Sequence, residues 1–262
     1  MLKLNDEIEE LKTYSSSNLV VNSIHHLVLR LLGRITHYPK VPTLEIMHGE
    51  LDTFLIHLHI MVIDYNFHEY DSAAKIIEKS KPFSSHINCM YSYAMYIFYQ
   101  GLISITQVKA NSSGTSLWKC VTSQSIAQIK DWSVSGPANF KNKLKLLIAE
   151  DLGCASDDYE KVLKLYNEAI VLSSKYNQTH DEALSSERAG LYCIENSLYS
   201  EATKYLSHAY SKYEKWGSKS KNDHLKLLVG PYLKDSSKFP LNIFKKENKE
   251  EIYIDVSLPS SK

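Results

Sequence analysis

Four histidines, His48, His57, His59 and His68, lie close together in the chain, the middle pair within "HLH", and imidazoles at such density raise the question of a zinc site. Helical geometry answers against it. Residues two apart differ by about 200° around a helix axis, whereas helix-borne zinc ligands share one face at i and i+4. The adjacent His25 and His26 have the same fault. Serine, histidine and aspartate are plentiful, but no G-x-S-x-G elbow holds a nucleophile. There is no G-x-x-x-x-G-K-[ST] phosphate cradle, no G-x-G-x-x-G loop and no phospho-acceptor box with a His-Glu pair. The expectation is a non-enzyme with no catalytic residues, no cofactor and no metal ligands. Cys89, Cys120, Cys154 and Cys193 lie 31, 34 and 39 residues apart without a CxxC pair, which reads as reduced core thiols.

The elements that carry these residues are helical by composition. Nine glycines and seven prolines in 262 residues, with 44% hydrophobic residues, suit helices better than a turn-rich sandwich. Lys and Arg total 30, as do Asp and Glu, so no basic excess points to nucleic acid. The apolar run "FLIHLHIMVI" from Phe54 to Ile63 is shorter than the roughly 20 residues of a membrane span. The start "MLKLNDEIEELKTYSSS" is acidic where a targeting peptide is basic, and it reads as an ordinary amphipathic segment. Cytoplasmic location is the expectation, with no membrane and no nucleic acid among the partners.

Periodicity organises the chain further. In "DYEKVLKLYNEAIVLSSKYN", Tyr159, Val162, Tyr166 and Ala169 fall on one helical stripe, leaving Glu160, Lys161, Lys164 and Glu168 toward water. Tyr199, Ala202, Leu206 and Ala209 repeat those offsets, and Tyr70, Ala73, Ile77 and Ser80 give a third copy. A weaker fourth, Trp118, Val121, Ser125 and Gln128, places polar residues where a buried stripe is apolar. The starts at 70, 118, 159 and 199 are 48, 41 and 40 residues apart, a spacing suited to one helix pair per repeat. A partner helix precedes each: "ELDTFLIHLHIMVIDYNF", "SHINCMYSYAMYIFYQGLISI", "ANFKNKLKLLIAEDLG" and "DEALSSERAGLYCIENS". Pro137 marks a helix start, and Ala183, Ala189 and Gly190 permit close helix approach, with Asp181 supplying N-terminal charge or a cap. Residues 109–116, carrying an Asn111-Ser-Ser triplet, read as a loop.

The Tyr-x-x-Ala/Val-x-x-x-aromatic/Leu-x-x-Ala pattern resembles the second helix of tetratricopeptide repeats, although spacings near 40 exceed that family's usual 34. Residues 138–232 more closely resemble the helical-repeat region of large multidomain signalling proteins, in which a protein-kinase-like domain and an AAA-type predicted ATPase precede the helices and GAF and histidine-kinase domains follow. The residues that carry it are Glu182, Ala183, Leu184 and Glu187 in "DEALSSERAG" and Tyr213, Trp216, Gly217 and Lys221 in "YEKWGSKSK"; "NFHEYDSAAKIIEKSK" fits more loosely. The catalytic domains of those proteins are absent from this chain.

The fold expected is all-α, with TPR-like helical hairpins stacked in a right-handed superhelix over residues 1–233. Residues 234–262 form a charged tail or linker in which "EIYIDVSL" is strand-like. The repeat core comprises Tyr70, Ala73, Ile77, Tyr159, Val162, Tyr166, Ala169, Tyr199, Ala202, Leu206 and Ala209. Trp216 and Tyr213 are the candidates for partner binding, Trp216 having the alternative of packing at a helix end before Gly217. Tyr91, Tyr93, Tyr96 and Tyr99 crowd one segment and cannot all be buried. The function expected is a protein- or peptide-binding or domain-coupling module in signal transduction. The alternatives are a truncated member of the hybrid histidine kinase/ATPase family acting in phosphorelay with missing domains, and a homo-oligomeric structural adaptor.

Overall fold

The computed structural model describes residues 17–35, 50–79, 90–110, 114–156 and 158–233. Ten α-helices are present among them: α1 (Ser17–Leu31), α2 (Glu50–Asn66), α3 (Tyr70–Lys79), α4 (Tyr91–Lys109), α5 (Thr115–Ser135), α6 (Pro137–Gly153), α7 (Tyr159–Lys175), α8 (Thr179–Glu195), α9 (Tyr199–Trp216) and α10 (Lys219–Leu233). No strand occurs among the described residues. The strand-like stretch of the tail, the Asn111 triplet, Ser80, Cys89 and His48 lie outside them. The helices group into two compact units divided between Ile129 and Lys130 within α5, with Lys219–Lys221 belonging to the first.

In the first unit α2 packs on α1, α3 and α4, and α3 also packs on α4. Its core is aromatic and aliphatic: Phe54, Met61 and Tyr65 from α2, Ala73 and Ile77 from α3, and Tyr96, Tyr99, Leu102 and Ile103 from α4. The Tyr65 and Tyr99 rings meet edge to face with centroids 5.8 Å apart. Of the crowded tyrosines, Tyr96 and Tyr99 are buried and Tyr91 is 54% exposed. In the second unit α6 packs on α7, α7 on α8 and α8 on α9, with α6 also touching α8. Both units thus use one rule, in which the two helices of a hairpin, α2 with α3 or α6 with α7, together hold the first helix of the next.

The turns repeat as well. His68, Asn177, Ser197 and Gly217 all have positive φ, at 61°, 55°, 61° and 89°, and each lies two residues before a helix start. The next residue's N–H closes the preceding helix by donating five residues back: Glu69 to Asp64 O, Gln178 to Ser173 O, Leu198 to Cys193 O and Ser218 to Tyr213 O. This is a left-handed helix cap, and Gly33, at φ 71° with Arg34 N–H donating to Leu29 O, closes α1 in the same way. Of the four turns that lead into a described helix, only Gly217 carries the residue type that advertises it. At the start of α7, Asp158 accepts the Lys161 N–H at 3.1 Å, while Pro137 opens α6.

Val162, Tyr166, Ala169, Ala202, Leu206, Ala209, Ala73 and Ile77 lie in the core. The aromatic first positions depart from that pattern. Tyr159 is 48% exposed, and Tyr70 and Tyr199 are half-buried. All three are the first residue of their helix, and Cα–Cβ bonds tilt toward the N-terminus, so the ring reaches past the helix end instead of into the seam. In α5 the buried line is Trp118, Thr122, Ser125 and Ile129, not Val121 and Gln128, which are half-buried. Its steps of four, three and four carry Thr122 in place of Val121.

Serine in a left-handed conformation is strained, so Ser197→Gly is expected to raise stability by roughly 0.5–1 kcal/mol. Ser197→Val is expected to lower it. Urea unfolding of the three proteins checks both signs.

Candidate functional site

The sequence "DEALSSERAG" is buried without interruption: Asp181 to Gly190, ten consecutive residues of α8, are all shielded from solvent. A helix enclosed on every side is ordinarily apolar all round. This one carries Asp181, Glu182, Glu187 and Arg188, and each must find a partner, because an unpaired buried charge costs several kcal/mol.

Each does, on a neighbouring helix. From α6, Lys143 Nζ donates to Asp181 Oδ2 at 2.5 Å, and Asn142 Nδ2 reaches the same oxygen at 2.9 Å. Two turns further on, Arg188 grips Glu150 with both ends of its fork, Nε to Oε1 at 2.8 Å and Nη2 to Oε2 at 2.7 Å. Tyr166 of α7 donates to Glu150 Oε1 at 2.8 Å. From α9, Tyr213 donates to Glu187 Oε2 at 2.6 Å, and His208 and Lys212 each meet Glu182 Oε1 at 3.0 Å. The α7–α8 turn joins the network through Gln178, which accepts from Asn142 at 2.6 Å and donates to Ala138 O at 3.0 Å. Among the uncharged residues of the enclosed stretch all but Leu184 are small. A Cβ added at Gly190 would lie 2.6 Å from Leu206 Cγ, so glycine is what lets α9 approach.

The electrostatics follow the geometry. Burial alone would raise the Asp181 pKa, but the hydrogen bond from His180 and the charge of Lys143 outweigh it and hold the carboxyl well below its ordinary value. Glu182 is likewise lowered: burial opposes, and His208 and Lys212 prevail. Burial pushes the Cys193 thiol up to about 12, so it is inert as a nucleophile, and pushes the Tyr205 phenol to about 12. In the first unit the balance reverses. Asp64 is buried, with Oδ2 lacking a hydrogen-bond partner, and burial raises its pKa to about 6 despite a hydrogen bond from Ser72.

The histidines serve packing. His57 is buried, His59 Nδ1 lies 2.7 Å from Ser23 Oγ, and His68 occupies a left-handed turn with its ring stacked on Tyr70. No group of three or more His, Cys, Asp or Glu that could hold a metal occurs among the described residues. No helix there is long and apolar enough to cross a membrane.

Tyr213 and Trp216, proposed together from the sequence as partner contacts, have opposite environments. Tyr213 is fully buried, its hydroxyl committed to Glu187, so it belongs to the core and not to a binding surface. The reason is its position one turn inside α9, on the face toward α8. Trp216, the last residue of α9, is 38% exposed, with its indole 4.5 Å from the His180 ring and 6.4 Å from that of Tyr213. Trp216, His180, His208 and Lys212 together form the solvent edge of the buried network. Asp181 is not a helix cap: Gln178 precedes the helix, and the Asp181 side chain points to Lys143.

Sequence periodicity overlooks Asn142, Lys143 and Glu150, since charged residues read as the wet face of a helix. A signal was nevertheless present. Lys143 and Glu150 are seven apart, Asp181 and Arg188 are seven apart with reversed charges, and both pairs are separated by 38 residues. Comparison of the chain with family models, curated proteins and solved structures gave no match.

Arg188→Met is expected to cost about 3–5 kcal/mol by stranding Glu150, and Arg188→Met with Glu150→Leu much less. Chemical denaturation of the single and double variants tests the coupling. The pH dependence has two opposed parts. Asp64 has a raised folded pKa, so the first unit gains stability as pH falls from about 6 to about 4. Asp181 and Glu182 have lowered folded values, so the second unit keeps their contribution above about pH 4 and loses it below. Hydrogen exchange resolved by segment between pH 3 and 7 distinguishes the two, and Asp64→Asn is expected to abolish the first effect.

Proposed function

We propose that the chain is a non-catalytic, TPR-like helical-repeat module that binds a protein or peptide, its hairpins continuing as a right-handed superhelix. Packing of successive helix pairs supports the repeat. So does the internal translation: Lys143 to Asp181, Glu150 to Arg188 and Asn167 to Tyr205 all connect residues 38 apart on successive first or second helices. Stacked hairpins bury a continuous core while leaving helix edges free for recognition.

The observation that carries the binding reading is Trp216. A large ring more than one-third exposed at a helix end, seated against His180 above a buried network of paired charges, is a rigid amphipathic anchor. The contact surface is an edge, not a groove lined by first helices, because α8 buries ten consecutive residues and leaves only its two ends open. Service within a signalling assembly, as partner or as coupling element between catalytic domains, rests on the resemblance of residues 138–232 alone.

The test compares proteins captured from native cytosol by the intact chain and by Trp216→Ala, after thermal melting shows that both are folded. A partner retained by the first and lost by the second is expected. The same partner set on both proteins would exclude Trp216 as the anchor.

A further inference from the structure

Among the described residues of the first unit, Asp64 is the buried carboxyl. It stands in the last turn of α2, where the helix dipole disfavours an anion, and it is only 6% exposed. The Ser72 hydroxyl of α3 donates to it, while Oδ2 has no hydrogen-bond partner. The left-handed turn at His68 brings a second acid back toward it: the Glu69 N–H donates to the Asp64 carbonyl at 2.7 Å, and the Glu69 charge acts on Asp64. Arg30, from the last turn of α1, serves both acids. Its Nη2 is 3.5 Å from Glu69 Oε1, its guanidinium is 4.3 Å from the centre of the Phe67 ring, and its charge reaches Asp64 without a hydrogen bond.

We propose that Asp64, Glu69 and Arg30 form a proton-operated clasp on the end of α1. With Asp64 ionised, Arg30 leaves Glu69 and donates to the unpartnered Oδ2. With Asp64 protonated, Oδ2–H donates to the Ile60 carbonyl of its own helix, and Arg30 rests on Glu69 and Phe67. The Asn66 amide already makes that backward contact, donating to Val62 O at 2.7 Å. Strength decides which acid holds the guanidinium. Glu69 has a side chain 54% exposed, and an ion pair to such a partner is weak, whereas a charge-assisted hydrogen bond to a buried carboxylate is strong. Burial, with the Glu69 charge behind it, outweighs the Ser72 hydrogen bond and Arg30 and pushes the Asp64 carboxyl up to about 6. The other charged and titratable groups around α2 are engaged elsewhere. Lys221, at the start of α10, donates to Asn66 O, and Asp71 of α3 accepts from Gln107 of α4 at 3.4 Å. Helix α4 carries no charge before Lys109. His59 meets Ser23, His68 stacks on Tyr70, and His57 is acted on by Lys79.

The test is an NMR titration of the full chain between about pH 4.5 and pH 7.5, across the neutral and ionised forms of the group. It follows the Asp64 carboxyl carbon and the Arg30 Nε–H together. Both signals are expected to move with one midpoint. Arg30→Gln is expected to raise the Asp64 midpoint by about one pH unit, because an opposite charge is lost, and Glu69→Gln is expected to lower it. Asp64→Asn, which keeps the size of the side chain and supplies a permanent donor, is expected to hold the Arg30 signal at its acid position throughout. An Arg30 signal that stays still while Asp64 titrates overturns the proposal. So does an Arg30 signal that titrates unchanged in Asp64→Asn, which would assign the movement to His59 or His68, or an Asp64 midpoint indifferent to Arg30→Gln.

Discussion

The second unit depends on the enclosure of α8. Once ten consecutive residues are removed from water, four charges among them dictate what the surrounding helices must present. Glu150 and Lys143 must come from α6, Tyr213 from α9, and Tyr166 from α7 adds a second donor to the Glu150 Oε1 that Arg188 Nε also reaches. Buried ion pairs contribute little net stability over an apolar core, since desolvation offsets most of the attraction. Their effect is on register. Sliding α8 along α6 by one turn would separate Lys143 from Asp181 and Glu150 from Arg188 together, whereas an apolar seam of similar residues would tolerate the slip.

The left-handed turns are the complement of that constraint. A hairpin of fixed register needs connections of fixed length and direction, and a turn built on a single left-handed residue reverses the chain in three residues. The same closure before α3, α8 and α9 gives these helices a common entry, so their spacing along the chain is set by helix length more than by loop length. Non-glycine residues hold the turn at His68, Asn177 and Ser197 because two backbone hydrogen bonds outweigh the local strain.

The hairpins were legible in the sequence because burial there follows a period of about 3.6 residues: Val162, Tyr166 and Ala169, or Ala202, Leu206 and Ala209, are apolar and lie on one stripe. Three features were not legible from periodicity. The first aromatic of each stripe sits at a helix end, where burial depends on what lies beyond the terminus, so Tyr159 escapes the core. The turns at His68, Asn177 and Ser197 lack the glycine that marks a left-handed cap. The network around α8 uses residue types that read as solvent-facing, and only the complementary charges at equal separation distinguish Lys143 and Glu150 from an ordinary wet face.

This division between a closed interior and an open edge bears on recognition. Inside the unit, polar groups are committed: Asp181, Glu182, Glu187 and Arg188 have fixed partners, and recruiting any of them to a ligand would leave another charge buried alone. At the end of α9 the situation differs. Gly217 turns the chain away in a left-handed conformation immediately after Trp216, and Ser218 closes the helix onto the Tyr213 carbonyl. The indole is therefore fixed in place by a capped helix and by His180 while keeping one side in water. A ring held in this way loses little conformational freedom when a partner covers it, which is the condition under which one exposed aromatic contributes most to binding.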